Sequence, residues 1–396
     1  MTRLWDKGTS LDAQVLEYTA GDDHALDDRL VRYDIRASMA HAEMLAEQRL
    51  LSAQDLVLIR DALKAIGEEH ASGQWRVSLE DEDCQTAIEN LLTARIGAAG
   101  GRLHAGRSRN DQVLAALRLY MRDAAETLRQ GAVAVADALD ALASRHSGQV
   151  LPGYTHMQQA MPSSVPLWAS GFAAELRDDA EGLHLTQRRI GKNPLGSAAG
   201  FGTPNLDISR ESTRRRLDFA AVQEPVTAVQ LSRGKAEAQL LFEITLLTQD
   251  LGRLAADLLL FYTQEFAYVS LPAAFTTGSS IMPQKRNPDV FELMRGRSAV
   301  AQAALSEVLG ITQKLTSGYH RDLQLIKPPL FRGIDSCLRT LEILPSALNG
   351  VSFRPENIRL DPGIHAAAAA NALVAKEGIP FRDAYRQVAA KLKDDE

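Results

Sequence analysis

The chain has 396 residues, 45% of them hydrophobic and 24% charged, with a formal net charge of -6; this is the make-up of a globular protein with a large core and room for two or three domains. That charge gives no electrostatic case for binding nucleic acid or an anionic membrane surface, so an anionic ligand would have to be drawn in by local charge. Two cysteines, Cys84 and Cys337, are too few for a disulfide framework or a structural zinc site and fit a reducing cytoplasm, and no long apolar run suggests a signal peptide or a membrane span.

In chain order, helical periodicity runs from Leu30 to about Gln48, Ser52 is placed to cap a helix from Ala53 to about Ala71, and Glu80 to Ala94 reads as a third helix. Gly97-Ala98-Ala99-Gly100-Gly101 breaks the pattern, and a domain boundary is expected near there, giving an N-terminal helical domain over 1–105. Beyond Asn110 the helices lengthen. Five are expected, at about 111–146, 164–189, 233–268, 289–315 and 328–349, forming a central bundle domain over 106–350. In the third, Leu240, Ile244, Leu247, Leu251, Leu254, Leu258 and Phe261 recur at alternating spacings of four and three, the seam of a coiled coil. Leu241, Phe242, Leu246, Leu259 and Leu260 add apolar surface outside that seam. A helix apolar over most of its circumference is buried on several sides, so association of several copies through their helices is expected beside the alternative of a larger monomeric bundle. A short C-terminal helical domain over 351–396 follows, with helices after Asp361-Pro362-Gly363 and after Gly378-Ile379-Pro380. The fold class is all-α.

The most informative stretch is Thr276 to Asp289. Gly278, Ser279, Ser280 and Pro283 suit neither helix nor strand, so it reads as a loop carrying hydroxyls and the Lys285 ammonium to a helix start, with Asn287 as cap and Pro288 at the first helical position. Such an end favours anions. Read alone, Gly-Ser-Ser is a surface turn; read whole, GSSIMPQKRNPD resembles the signature of the fumarase/aspartase superfamily and, within it, of the argininosuccinate lyases.

Three further strings carry the resemblance. His104-Ala105-Gly106-Arg107-Ser108-Arg109-Asn110-Asp111-Gln112 is similar to the family's HTGRSRNDQ, with Ala105 in place of threonine; Arg107 and Arg109 offer planar forks for a carboxylate, and the match makes Asn110 a substrate ligand. Gly153-Tyr154-Thr155-His156-Met157-Gln158 resembles GYTHLQ, which implies Thr155 as a substrate ligand and His156 as the acid/base histidine, with Glu292 in the family position of its carboxylate partner. Tyr319-His320-Arg321-Asp322-Leu323-Gln324 with Lys327 resembles YNRDLQxxK, so Tyr319, Gln324 and Lys327 are implied as substrate contacts, with His320 where asparagine is usual. Weaker matches place Gln85 where many members have histidine, liken residues 194–203 to a mobile glycine- and alanine-rich loop, and set Asp23 at the position of a substrate-binding serine, where a carboxylate suits a guanidinium. The C-terminal segment is shorter than the family's usual one.

The resemblance implies a lyase that releases fumarate from argininosuccinate without cofactor or metal. Ser279 takes the proton next to the carboxylate, Lys285 and Asn287 stabilise or contact the substrate, and His156 with Glu292 moves the proton at the departing nitrogen. It also implies a cytoplasmic homotetramer whose sites draw on three subunits, with no nucleic acid or membrane partner. Another fumarate-releasing lyase, such as adenylosuccinate lyase, and a non-catalytic crystallin-like relative are the alternatives.

Overall fold

A computed structural model describes residues 12–394. In chain order the helices are α1 (Ala13–Ala20), α2 (Asp23–Asp27), α3 (Val31–Glu47), α4 (Ala53–Ala71), α5 (Cys84–Ile96), α6 (Ala98–Arg102), α7 (Arg109–Arg145), α8 (Val165–Ile190), α9 (Arg210–Arg216), α10 (Ala228–Leu231), α11 (Lys235–Tyr262), α12 (Asp289–Thr312), α13 (Lys327–Gly350), α14 (Ala366–Glu377) and α15 (Phe381–Asp394). The strands β1 (Val150–Thr155), β2 (Gln158–Ser164), β3 (Lys192–Asn193), β4 (Ala221–Val222), β5 (Val269–Ser270) and β6 (Ser352–Phe353) pair two by two. The protein is all-α in class, and the five long helices α7, α8, α11, α12 and α13 stand where the periodicity puts them. Among the described residues no helix is long and apolar enough to cross a membrane.

Local chemistry sets the helix ends. Ser52 caps α4 as expected, its hydroxyl accepting the Asp55 N–H at 3.0 Å. Helix α5 starts later than its pattern suggests, because Glu82 takes φ +69° and Asp83 becomes the cap, accepting from Thr86 N at 2.9 Å. Helix α11 stops at Tyr262, short of the expected 268: the Thr263 hydroxyl turns back to the Leu260 carbonyl at 2.8 Å, and Ala267 at φ +47° sends the chain into β5. At α7, Ser108 and Asp111 form the start, since the Ser108 N–H donates to the Asp111 carboxylate at 3.0 Å and the Gln112 N–H to the Ser108 carbonyl at 3.1 Å.

The chain divides into two compact units. The first takes residues up to Arg129, Glu181–Thr245 and Val300–Ser336. Helix α3 packs on α4, α5 and α9, and Leu30, Met44, Leu45, Ile59, Leu63, Ile66 and Leu92 are wholly or almost wholly buried. Tyr120 meets Tyr33 and Phe331 edge-on, with ring centroids 5.9 and 5.0 Å apart, while Arg29 lies over Phe331 and pairs with Asp335 at 3.1 Å.

The second unit takes Gln130–Ala180, Leu246–Ala299 and the chain from Cys337. Its centre is aromatic: Trp168 packs edge-on against Phe172, Phe261 and Phe353 and donates its indole N–H to Asp257 at 2.9 Å. Gly131 lets α7 approach α13 closely, since a Cβ there would lie 3.0 Å from Leu341 Cβ. The seam of α11 is buried throughout, each of its seven residues being at most 4% exposed.

Candidate active site

In the first unit a cavity of about 390 Å³ opens among the end of α1 and start of α2, the turn before α5, the start of α7 and the segment from Tyr319 to Lys327. It gathers Asp23, Arg107, Arg109, Asn110, Tyr319, Gln324 and Lys327, seven residues expected from three separate stretches of sequence. Its chemistry is dense in charge. Lys327, 2% exposed, places Nζ 2.8 Å from Asp23 Oδ2 and 2.7 Å from Asp27 Oδ1. Burial raises both carboxyls, Asp23 to about 7; Lys327 opposes the rise, but one ammonium is shared by two carboxylates, and Asp27 and Asp83 raise Asp23 further while Asp83 raises Asp27. The lysine itself sits above its ordinary value, because Asp27 and Asp23 outweigh the cost of burial.

The two arginines expected as a carboxylate clamp are engaged internally. Arg107 is buried and donates to the Ser38 hydroxyl at 2.8 Å, beside the Asp34 carboxylate that accepts from Ser38 at 3.2 Å and from Gln85 at 3.2 Å. Asp34 is pushed up to about 6 by burial, against the pull of Arg107. Gln85 thus acts as a donor to this buried carboxylate. Arg109 reaches Thr86 Oγ1 at 2.7 Å and Asp83 Oδ2 at 3.2 Å. Gln324 spends its amide N–H on the carbonyls of Thr19 and Ala20, at 3.0 and 3.1 Å. Asn110 stands on the first turn of α7, half-buried on the cavity wall. Below it, Asp111 anchors the glycine- and alanine-rich loop by accepting from Gly196 N at 3.0 Å and Ala198 N at 2.8 Å.

The remaining expected residues belong to the second unit. Thr155 and His156 lie at the end of the β1–β2 hairpin, which stands between the first two long helices. Thr155 pairs with Gln158, so His156 and Met157 form a two-residue turn, at φ +52° and +61°. Both positive angles are what a type I′ turn demands, and neither residue is the glycine or asparagine that meets that demand at low cost. His156 is thereby held out at the tip, exposed.

Ser279 lies in the serine loop with its Oγ accepting the N–H groups of Ile281 at 3.3 Å and Met282 at 3.2 Å. Two backbone donors on one hydroxyl oxygen favour its anionic form. Asn287, expected as a helix cap, instead bridges Thr277 through both backbone groups, N to O at 2.8 and 3.0 Å, and its side-chain amide donates to the Gly278 carbonyl at 3.3 Å. It closes the loop; Thr277 in turn hydrogen-bonds the Asp289 carboxylate at the start of α12. Lys285 and Glu292 are exposed, and among the described residues His156 and Glu292 share no hydrogen bond or ion pair.

Residues 13–303 match a family model described as "Lyase". Over 393 residues the chain is 49% identical to the argininosuccinate lyase of Sorangium cellulosum, covering 98% of this chain and 90% of that relative. The chain belongs to the argininosuccinate lyase family. The argininosuccinate lyase of Xanthomonas euvesicatoria is 43% identical over 390 residues, 98% of this chain and 89% of that one. Among solved structures, EDDS lyase in complex with formate superposes with a TM-score of 0.81 at 25% identity, over 96% of this chain and 76% of that one. A class II fumarase from Schistosoma mansoni shares the fold, with a TM-score of 0.78 at 18% identity over 96% and 88% of the two chains.

Against this lyase family background, sequence reading passed over Asp27 and Arg233. Asp27 had a signal in its spacing: four residues after Asp23, it shares a helix face with it and so shares its lysine. Arg233 had none, standing in Ser232-Arg233-Gly234-Lys235 just ahead of the apolar helix α11.

Proposed function

We propose that this protein is an argininosuccinate lyase that cleaves argininosuccinate to L-arginine and fumarate by anti β-elimination, the closing step of arginine biosynthesis, in the cytoplasm. The observation that carries the mechanism is the serine turn. Removing a proton from carbon beside a carboxylate needs a strong base, and a hydroxyl serves only where its alkoxide is stabilised. Ile281 and Met282 N–H supply that stabilisation at Ser279 Oγ. Ser279 takes the Cβ proton, and the doubly charged carboxylate that forms is held by Lys285, Asn287 and Thr155. His156, its imidazolium stabilised by Glu292, delivers the proton that the guanidinium nitrogen needs as the C–N bond breaks.

The cavity of the first unit receives the amino-acid half, with Asp23 and its acidic neighbours suited to cationic groups and Asn110, Tyr319, Gln324 and Lys327 around it. Site residues from different stretches meet between neighbouring copies in a homotetramer; the exposure of Phe242 at 48% and Leu246 at 38% on α11 supports burial of that helix by another copy. The test is direct: purified protein with argininosuccinate generates fumarate, followed by its ultraviolet absorbance, whereas adenylosuccinate gives none. Absence of fumarate from argininosuccinate at every pH would end the reading.

A further inference from the structure

The cavity of the first unit is lined by five Lys and Arg side chains, and four of them are already engaged. Arg107 is bound to Ser38, Arg109 to Thr86 and Asp83, Arg321 to the Thr19 carbonyl at 2.7 Å, and Lys327 to Asp23 and Asp27. Arg233 is different. It is 5% exposed, and its Nε and Nη1 are buried without a hydrogen-bond partner among the described residues. Its guanidinium carbon lies 6.0 Å from the centre of the Tyr319 ring, and both residues line the cavity.

A buried guanidinium with idle donors costs free energy that a bound anion recovers. The surroundings sharpen the need. Arg118, fully buried nearby, is pushed down to about 10 by burial and, despite the counter-pull of Glu237, by the like charges of Arg233 and Arg210. Arg118 itself is satisfied, donating to the Lys192 carbonyl and to Ser232 Oγ at 2.7 Å. Of these three guanidiniums, Arg233 is the one that lines the cavity. A carboxylate fits the planar fork of a guanidinium bidentately, and the Tyr319 ring stands beside that fork. Asp23, Glu82 and Asp83 line the same space. That mixture disfavours a dianion and suits a zwitterion.

We propose that Arg233 anchors the α-carboxylate of the amino-acid half of the substrate, and hence of the arginine product. This assignment rests on the lyase reading above, and it is tested by calorimetric binding of arginine and of fumarate to the full assembly, in wild type, Arg233→Lys and Arg233→Met. The Met variant is expected to weaken arginine binding roughly 10- to 100-fold, the range of a lost charged hydrogen bond, with Lys falling between it and wild type. Fumarate binding stays within about twofold by the same reckoning. In turnover the KM for argininosuccinate rises in the order wild type, Lys, Met, while kcat moves much less. Circular dichroism and light scattering establish that each variant is folded and assembled, and where Met fails to fold the Lys variant carries the comparison. Arginine binding unchanged in a folded variant, or a loss confined to fumarate, would overturn the assignment. A wild type that binds arginine through Arg233 yet releases no fumarate from argininosuccinate would sink the lyase reading alone.

Discussion

His41 is fully buried on α3, with Nε2 2.9 Å from the Ala105 carbonyl and Nδ1 buried without a partner among the described residues. Burial, reinforced by the positive charge of Arg107, lowers it to about 3. The folded protein therefore keeps this ring neutral, while an unfolded chain protonates it below about 6.5. Its stability contribution is complete above that pH and is lost progressively as pH falls toward 3. Asp34 and Asp111, both raised to about 6 by burial, act in the opposite sense: ionised and buried at neutral pH, they favour the folded state more as pH falls from about 6 toward their ordinary values. The total curve thus conceals the histidine, and a difference reveals it. Urea unfolding from pH 6.5 to pH 4 is expected to show wild type losing up to about 1.4 kcal/mol per pH unit more than His41→Gln. Parallel curves would remove His41 as the source. At this scale the sequence was most legible where one side chain has one task, as with the Ser52 cap. It was least legible where a charge is spent internally: nothing in Arg107 or Arg109 announces Ser38 or Asp83 as partners, and those partners lie 69 and 26 residues away.

Among elements, the long helices could be read because a seam at spacings of four and three persists over several turns, and that periodicity survives any tertiary context. The β1–β2 hairpin could not. Pro152, Gly153 and Pro162 interrupt its alternation, the register slips between Gly153 and Tyr154, and its turn residues are His and Met. A left-handed backbone at a non-glycine residue costs on the order of 1 kcal/mol. This strain at the turn that holds out His156 is tolerable because pairing of the two strands over-determines it. Met157→Gly is accordingly expected to raise stability by roughly 0.5–1 kcal/mol, less glycine's extra entropy in the unfolded chain. Thermal unfolding checks this, and a lower midpoint in the variant would mean that the turn is unstrained or that Met157, 69% exposed, is packed in the assembly. The serine loop was legible in position and wrong in detail: Pro288 does precede α12 and Asp289 opens it, but Asn287 closes the loop against Thr277 instead of capping the helix.

For the whole molecule, the all-α class followed from composition and periodicity, whereas the division into two compact units did not, because its boundaries fall inside α7, α8, α11, α12 and α13, where each helix continues unbroken. The proposed tetramer buries the apolar residues that α11 leaves exposed, and light scattering of dilute protein is expected to give about four chain masses; a stable monomer would refute it. Shared sites are the stronger statement. If Ser279 and His156 of one working site come from different copies, two inactive variants can rescue one another. Ser279→Ala and His156→Asn assemblies, each expected to lose turnover by orders of magnitude with the fold intact, are therefore to be co-expressed and the hybrids assayed for fumarate from argininosuccinate. Random mixing of the two chains is expected to restore roughly a quarter of the wild-type sites, whereas hybrids as silent as their parents would contradict a site built from more than one copy.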